Sequence, residues 1–587
     1  MNIAMKKNKI LIMVMAILVA LTISCEEFME TTPLGVASDQ VFNNEKGVNV
    51  LLIGAYAAID GAGINTGWWG TYAWAGSVTN WVWGGVASDD SYKGSDVSDQ
   101  TPINPIEQYE TLVSNQYVSD KWICNFDGVS RCNDVLKVLA ETDMDPADAS
   151  NIEAQAKFLR GWFHFELKRV YNNIPYITEV AEDPAQVPNT VDAWPMIEED
   201  LQFAVDNLPE EQDEVGRANR YAAMAVLARV HLFQQDYAAA KTLLDDIIDS
   251  ERYVLVDEFH DNFRTATNNN AESIFEIQYS VNDGASESSN GGYGDCLNFP
   301  QSGDIGVCCG FYQPTQNMVN AFKVDADGLP LLDDYNETNL KNDMGVLSTE
   351  TFEPFTDQVD PRLDWTVGRR GIPFLDHGIM RGADWIRDPG NGGPYLYLKN
   401  MFYASERGVT TTTTGWATGV NANNYRAYRY SHVLLWRAEV AVEENDLGYA
   451  MELVNMIRNR AKNSTPVMGL CTTYELPQGV EPTVDYDQPA ANYMVEPYTS
   501  FPDQAYARKA VRHEMRLEFA MEGHRFFDLV RWGIAADVLN DYIEKDADFR
   551  SFLQGKTFTA GKDEYWPIPI TQIDITGGDI LQQNPGY

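Results

Sequence analysis

Residues 513–533 read HEMRLEFAMEGHRFFDLVRWG. Apolar side chains recur at helical spacing in this stretch, at Leu517, Met521, Phe526 and Phe527, and the pattern predicts one amphipathic helix. Charged residues of alternating sign stand three or four positions apart, so we expect an ion-pair ladder along the helix surface. The residues of this ladder are Arg516, Glu518, Glu522, Arg525, Asp528 and Arg531.

Two stretches nearer the N-terminus and the middle of the chain are predicted to be helix pairs. Residues 220–250 hold two helices joined at residues 234–236, and repeated alanines let the two helices approach closely. Residues 424–462 repeat this design, and residues 151–171 and 193–208 are predicted to be further helices. Small residues with Asp-Tyr at the turn resemble a tetratricopeptide unit. The units are degenerate and widely separated, so no regular solenoid is expected.

The segment from about residue 271 to 420 has a different composition, rich in Gly, Asn, Pro and Thr. Loops of this length inside a globular chain are usually functional or disordered. We expect a mostly α fold in which degenerate tetratricopeptide helix pairs form a scaffold over about 40–270 and 421–587. A large, irregular, loop-rich insertion over 271–420 packs on this scaffold, and residues 25–587 form a single domain.

The N-terminus carries an export signal. Residues 1–24 combine a short basic start with an apolar run of signal-peptide length, and they end in Ser24 before Cys25. A small residue followed by cysteine resembles a bacterial lipobox, although Thr22 occupies the position where leucine is usual. We predict a lipoprotein signal peptide and lipidation of Cys25, which leaves the folded domain in water. An ordinary signal peptide and an N-terminal anchor helix are the alternatives.

Charge and cysteine content narrow the classes of function. The 587 residues include 86 acidic and 43 basic side chains, for a net charge of −43. Such a surface repels phosphate backbones and anionic lipid, whereas a neutral ligand or a partner with a basic face is compatible with it. The six cysteines other than Cys25 show no zinc-ligand spacing. Adjacent cysteines such as Cys308 and Cys309 rarely pair with each other, for geometric reasons.

Three segments together resemble the SusD/RagB family. Residues 154–177, AQAKFLRGWFHFELKRVYNNIPYI, follow its helix-then-proline pattern, and residues 513–533 resemble its RxxEFxxEGxRFFDLxRWG segment. The tail at 564–587, EYWPIPITQIDITGGDILQQNPGY, is similar to the closing WPIP and QNPGY motifs, with Gln572 where an acid is common. The resemblance covers both ends of the chain and its helical middle.

This resemblance implies a lipid-anchored protein of the outer membrane, exposed on the cell surface. Members of the family form a lid on a SusC-like TonB-dependent transporter and present a nutrient to it, usually an oligosaccharide. RagB-like members handle peptides, so a peptide-binding importer subunit is the alternative on the same architecture. A surface glycoside hydrolase and a plain tetratricopeptide scaffold that binds only proteins are the remaining alternatives.

No motif in the chain indicates catalysis. A GxSxG elbow and a Walker A loop are both missing from the sequence. His513 and Glu514 begin an HExxH pattern, but Leu517 stands at the second histidine position, and zinc needs both imidazoles on one helical face. Residues 325–328, DADG, depart from a calcium loop and are predicted to form a surface turn. We therefore expect no enzymatic activity, no metal and no cofactor.

Candidate ligand contacts come from aromatic loops. A sugar ring packs its C–H face on an aromatic plane, and its hydroxyls need Asn, Asp or Arg partners. In residues 65–85, NTGWWGTYAWAGSVTNWVWGG, the spacing places Trp74, Val78 and Trp81 on one buried helical face, whereas Trp83 lies off it. For each candidate, a structural role in pinning a loop is an equal alternative. The candidate glycan contacts are Asn65, Trp68, Trp83, Asp89, Tyr293, Cys296, Tyr312, Arg370 and Tyr395.

Overall fold

A computed structural model describes residues 42–61, 72–285, 289–303, 305–413 and 418–587. The predicted signal peptide and Cys25 lie outside these ranges, as do Asn65 and Trp68. The molecule is mostly helical, as predicted, with 44% helix and 8% strand. Its α-helices are α1 (Glu45–Tyr56), α2 (Tyr72–Gly76), α3 (Asn104–Glu107), α4 (Gln116–Ala140), α5 (Pro146–Tyr171), α6 (Trp194–Asn207), α7 (Arg220–Phe233), α8 (Tyr237–Asp249), α9 (Gln316–Ala321), α10 (Arg362–Thr366), α11 (Pro389–Gly392), α12 (Tyr430–Glu443), α13 (Leu447–Asn463), α14 (Gln504–Phe519), α15 (Arg525–Arg531), α16 (Ala535–Asp546) and α17 (Ile570–Ile575).

The long helices form two blocks. In the described part of the chain, every helix of 12 residues or more lies outside residues 271–420. In the first block α4 packs on α5, α5 on α6, α6 on α7 and α7 on α8. In the second, α12 packs on both α13 and α14, and contact between α8 and α12 joins the two blocks. The helix pairs predicted at 220–250 and 424–462 are thus α7–α8 and α12–α13.

The two helix pairs share one kind of turn. Gln235 and Asn445 adopt positive φ angles of 59° and 61°. The aspartates that follow, Asp236 and Asp446, each accept a hydrogen bond from the backbone N–H three residues further on. Asp is a preferred N-cap because its side chain satisfies a free N–H of the first helical turn. The sequences QQDY and ENDL therefore encode the same reversal of chain direction.

The strands are short and form four antiparallel two-stranded ladders. In one ladder, Ile277 lies opposite Tyr425 and Ser273 opposite Arg429, so the chain leaves and re-enters the helical scaffold at adjacent positions. A helix starting at residue 424 is therefore a wrong prediction, because YRAYR pairs with the buried strand SIFEI. The strands are β1 (Ser91–Gly94), β2 (Ser273–Ile277), β3 (Phe311–Pro314), β4 (Val367–Gly368), β5 (Leu396–Tyr397), β6 (Tyr425–Arg429), β7 (Met468–Cys471) and β8 (Val484–Pro489).

The prediction of one helix over residues 513–533 is also wrong. Helix α14 ends at Phe519 and α15 begins at Arg525, with positive φ at Met521 (63°) and Gly523 (75°) between them. A side chain cannot replace the hydrogen of Gly523, because an added Cβ would lie 1.8 Å from the Thr79 carbonyl oxygen. The break in the helix thus brings this turn against the tryptophan-rich segment.

Most of the predicted ion-pair ladder is replaced by long-range ion pairs. Among the described residues of this segment, Asp528 and Arg531 make the only pair of the predicted kind. The other charged side chains reach across the fold, as when Glu518 receives three guanidinium groups. Ten acidic and basic residues, three of them from this segment, form one buried charge network, and each is at most 6% exposed. They are Glu272, Asp360, Arg362, Lys399, Arg429, Arg458, Arg460, Glu514, Glu518 and Glu522.

One large apolar core extends through both helical blocks and into the insertion. The Sγ atoms of the adjacent residues Cys308 and Cys309 lie in contact. The thiols of Cys124, Cys132, Cys296 and Cys471 are buried. In the ranges that the structure describes, no helix is both long and apolar enough to cross a lipid bilayer.

Candidate functional site

The tryptophan-rich segment is internal over its described part. Trp74, Val78 and Trp81 are buried, as predicted. Trp83 is also buried, with 0% exposure, in a π-helical turn at Trp81–Val86. Its indole N–H donates to the Ala75 carbonyl oxygen at 2.7 Å, and its ring meets that of Trp566 edge-on, with centroids 4.9 Å apart. The prediction of an exposed Trp83 is wrong because the C-terminal segment covers its ring.

Asp89 is fully buried, which contradicts its expected exposure. It accepts hydrogen bonds from the guanidinium group of Arg525 at 2.8 and 3.1 Å, and Arg516 lies 2.9 Å from its Oδ2. Burial favours the neutral carboxyl, but the two guanidinium charges outweigh it and hold the pKa of Asp89 below its usual value. Asp89 thus anchors α14 and α15 to the segment before β1 and offers no free surface to a ligand.

Four more of the predicted contacts are buried and hold loops in place. Arg370 donates to the backbone carbonyl oxygens of Leu347, Ser348, Glu350 and Tyr474, so it clamps two loops together. The hydroxyl of Tyr395 donates to Gln316. A ligand on the protein surface does not reach these residues, because their side chains lie inside the fold. The four are Cys296, Tyr312, Arg370 and Tyr395, exposed by 1 to 3%.

Tyr293 is the described candidate that remains partly exposed. Its ring lies nearly parallel to that of Trp74, with an interplanar angle of 17° and centroids 6.4 Å apart. Two residues further on, Asp295 Oδ1 accepts hydrogen bonds from Ser77 Oγ at 3.0 Å and from Thr79 Oγ1 at 2.6 Å. These contacts bring together two of the stretches that carry candidate residues, 65–85 and 291–312.

A small cavity opens beside Asp295, and we call it the Asp295 cavity. It holds about 20 Å³, room for one water molecule or one hydroxyl group but not for a sugar ring. Three tyrosines, Tyr279, Tyr397 and Tyr425, line it, and burial raises the pKa of each phenol well above its usual value, so the hydroxyls stay protonated. The cavity is lined by Tyr279, Gly292, Asp295, Phe299, Tyr397, Asn400, Asn421, Asn423, Asn424 and Tyr425.

Asparagine side chains fix the walls of this cavity. Asn424 Oδ1 accepts the backbone N–H of Tyr279 at 2.8 Å, and Asn400 Nδ2 donates to the hydroxyl of Tyr397 at 2.6 Å. Burial raises the pKa of Asp295 to about 6, while the hydroxyls of Ser77 and Thr79 act in the opposite direction. The cavity is therefore lined by amide, phenol and carboxyl groups, several of which are already hydrogen-bonded within the protein.

Sequence reasoning missed the residues at 421–425, NANNY, which supply four members of the cavity. The prediction of a helix starting at Asn424 places Asn424 and Tyr425 in the helical scaffold and not in the site. Three asparagines in five residues directly before a buried strand are a usable signal, because asparagine favours turns and offers both a donor and an acceptor.

A larger cleft lies elsewhere, between α4, the chain at 175–187 and the C-terminal segment at 572–581. It holds about 390 Å³, and its lining is mainly apolar, with Trp122, Phe126, Ile177 and Leu581 among the wall residues. None of the candidate residues that the structure describes lines it. The larger space is therefore separate from the polar and aromatic loops.

His432, Glu522 and His524 place ligand-type atoms within 4.8 Å of one another. These atoms are already engaged: His432 Nδ1 accepts the N–H of Arg429, and its Nε2 lies 3.3 Å from His524 Nε2. The first contact leaves the proton of His432 on Nε2, so His524 accepts it. Glu522 is bonded by Arg429 and Lys399, whose charges oppose a bound cation. The trio is best described as a neutral histidine pair beside an ion-paired glutamate.

Comparison with known proteins identifies the architecture. A profile described as the SusD family matches residues 271–587. The chain belongs to the SusD family. A second profile, described as "Starch-binding associating with outer membrane", matches residues 76–232. SusD-like protein P25 of Formosa agariphila is 23% identical over 597 aligned positions, which cover 96% of each chain.

Solved structures share the fold of this SusD family member. Surface glycan-binding protein A from Bacteroides fluxus is 23% identical, with a TM-score of 0.64 over 92% of this chain and 99% of its own. The protein of the same name from Bacteroides thetaiotaomicron, in complex with laminarihexaose, is 20% identical, with a TM-score of 0.62 over 92% and 99%. At these identities the likeness establishes the common fold.

Proposed function

We propose that this SusD family member is a cell-surface lipoprotein that binds oligosaccharides through the loops around the Asp295 cavity. It delivers them to a SusC-like TonB-dependent transporter in the outer membrane, for which it acts as a lid. The observation that carries the proposal is the convergence of three chain segments, 77–79, 292–299 and 421–425, on one cluster of tyrosine, asparagine and aspartate side chains.

The chemistry of these loops suits a sugar. The partly exposed ring of Tyr293, supported from behind by Trp74, offers a plane for the C–H face of a pyranose. The Asp295 cavity accepts one hydroxyl group of that sugar and surrounds it with donors and acceptors. Two solved structures of this fold, the laminarihexaose complex and a laminarin-binding SusD-like protein, support glycan as the ligand class.

Isothermal titration calorimetry against a panel of oligosaccharides that includes laminarihexaose tests the ligand class. For a glycan that binds, Tyr293→Ala removes the stacking plane, and we expect affinity to fall about five- to tenfold, from about 1 to 1.4 kcal/mol of lost stacking. Tyr486→Ala is the matched control, because Tyr486 is 65% exposed on β8, far along the chain from these loops. Equal affinities of the two variants would refute the placement of the site.

The anchor and the transporter are tested separately. We expect wild-type protein to partition with outer membranes and to co-purify with a TonB-dependent channel from mild detergent. A Cys25→Ser variant should lose the lipid and appear in the soluble fraction. A wild-type protein that is recovered only as a free monomer under these conditions contradicts the lid role.

Two alternatives give different results in the same experiments. A peptide-binding importer subunit would ignore the glycan panel and bind extended peptides through backbone pairing. A surface hydrolase would release shorter products from the oligosaccharides that it binds, and two suitably spaced carboxyls are needed for that reaction. The described lining of the Asp295 cavity contains one carboxyl group, that of Asp295, which favours binding without cleavage.

A further inference from the structure

Three long stretches of the sequence, two of which supply most of the cavity lining, contain no basic residue. No Lys, Arg or His occurs in residues 47–92, 265–322 or 408–425. The chain as a whole has 43 Lys and Arg among 587 residues, so stretches of this combined length would otherwise carry several. The same stretches do carry acidic residues, including Asp60, Asp283 and Asp295. Of the segments that supply the cavity lining, only residues 397–407 fall outside these stretches, and they carry Lys399 and Arg407.

Asp295 differs from the buried carboxylates of the scaffold. Glu518 and Asp89 each face two or more guanidinium groups. Asp295 makes no ion pair with a described residue, and the two hydroxyls that bond it both reach Oδ1. Asp295 lines the cavity, so a group that enters the cavity lies next to this carboxylate.

Basic residues next to the lining residues in sequence point elsewhere. Lys399 precedes Asn400, but its ammonium group is buried and contacts Glu522 at 2.7 Å. Arg426 follows Tyr425, and its guanidinium group is buried 3.6 Å from Glu276. Neither charge is available to a ligand at the Asp295 cavity.

We infer that the site selects uncharged oligosaccharides and rejects those that carry uronate or sulfate groups, with the carboxylate of Asp295 as the selecting group. This inference rests on the proposed function. A hydroxyl group entering the cavity donates to this carboxylate and meets amide and phenol partners, whereas an anionic substituent meets a carboxylate and no cation. At about 7 Å and an effective dielectric constant of about 40, this repulsion weakens binding about tenfold.

The decisive experiment compares a neutral oligosaccharide with its own oxidised form. Laminarihexaose and laminarihexaose oxidised at C6 to carboxylates share one backbone and differ in charge. We expect the oxidised form to bind at least about tenfold more weakly at pH 7.5. Asp295→Asn keeps the shape of the side chain and removes its charge, so it should narrow the ratio of the two affinities severalfold, even where the loss of a charged acceptor weakens binding of both glycans. Asp574→Asn, an exposed change on α17, should leave the difference unchanged.

A second variant distinguishes a loss of charge discrimination from a folding defect caused by the Asp295 substitution. Asn400→Lys places a cation on the cavity wall while Asp295 stays intact, and it should improve binding of the oxidised glycan relative to the neutral one. Equal or tighter binding of the oxidised form by wild type, or discrimination that survives Asp295→Asn in folded protein, overturns the inference and leaves glycan binding standing. If the wild-type protein binds no glycan of the panel, the proposed function and the inference are both refuted.

Discussion

Replacing Glu518 by glutamine removes one negative charge from the centre of the buried charge network and keeps the shape of the side chain. Its carboxylate, 0% exposed, lies 3.0 Å from Arg362 and also contacts Arg429 and Arg460. These three charges hold the pKa of Glu518 well below its usual value despite burial. The amide of glutamine carries no charge, and its NH2 group would face guanidinium donors.

The expected cost follows from this geometry. Removing one partner of a buried ion pair typically costs about 3–5 kcal/mol, because the remaining charges stay buried without compensation. We therefore expect Glu518→Gln to lower the free energy of unfolding by about 4 kcal/mol. With an m-value of about 3 kcal/mol/M or more for a chain of this size, the urea midpoint falls by up to about 1.3 M.

Urea titration followed by far-UV circular dichroism measures this change. Glu353→Gln is the matched control, because Glu353 is exposed and pairs with Lys341 at 2.8 Å on the surface, where water screens the ion pair and it contributes little to stability. Adding Arg460→Met to Glu518→Gln should recover part of the loss, because it removes one of the uncompensated charges. A Glu518→Gln variant as stable as Glu353→Gln would refute the view that the network supports the fold.

Three other variants probe the remaining features. Gly84→Ala should destabilise the fold by more than about 2 kcal/mol, because its Cβ would lie 1.7 Å from the Gly523 carbonyl oxygen. Gly54→Ala is the control, and it should be neutral or stabilising because there is open space around Gly54 in α1. Thermal melts compare the two variants. Trp83→Ala should cost about 3–5 kcal/mol in urea while the folded protein keeps its glycan affinity, and a selective loss of affinity in calorimetry would contradict its structural role. Burial lowers the pKa of His524 to about 4, below about 6.5 in the unfolded chain, so the unfolded state binds more protons and stability falls as the pH drops between these values. His524 alone then contributes about 2 kcal/mol to the loss between pH 7.5 and pH 5, and urea midpoints of His524→Gln at the two pH values should differ less than those of wild type.

The parts of the fold that could be predicted are those determined by local patterns. The pairs α7–α8 and α12–α13 follow from helical periodicity and from the Gln235-Asp236 and Asn445-Asp446 turns. The break after Phe519 could not be predicted, because helical periodicity continues through residues 520–524. It depends on contacts from distant segments: Lys399 donates to the carbonyl oxygens of Glu518 and Ala520, and Gly523 lies against Thr79.

The proposed site shows the same division. Tyr293 was singled out by its glycine-rich aromatic loop and remains partly exposed, so it stays a predicted contact. Trp83 sits in an equally aromatic stretch, but the ring of Trp566, nearly five hundred residues later, covers it. Composition identifies aromatic loops, whereas exposure depends on which distant segment packs on them. For this reason Asp89 and Arg370 also have structural roles that a single sequence does not reveal.

The ladder between β2 and β6 places the two ends of the insertion side by side, a geometry that favours exchange of the whole insertion between related proteins. The buried charge network limits that freedom. Arg362 and Lys399, both within the insertion, neutralise glutamates that belong to α14 and to the turn that follows it. A transplanted insertion with different ligand loops must therefore carry matching cations at these two places, or the recipient scaffold is left with buried uncompensated carboxylates. Loop grafting between relatives should succeed only when the grafted segment preserves the cations at these two positions.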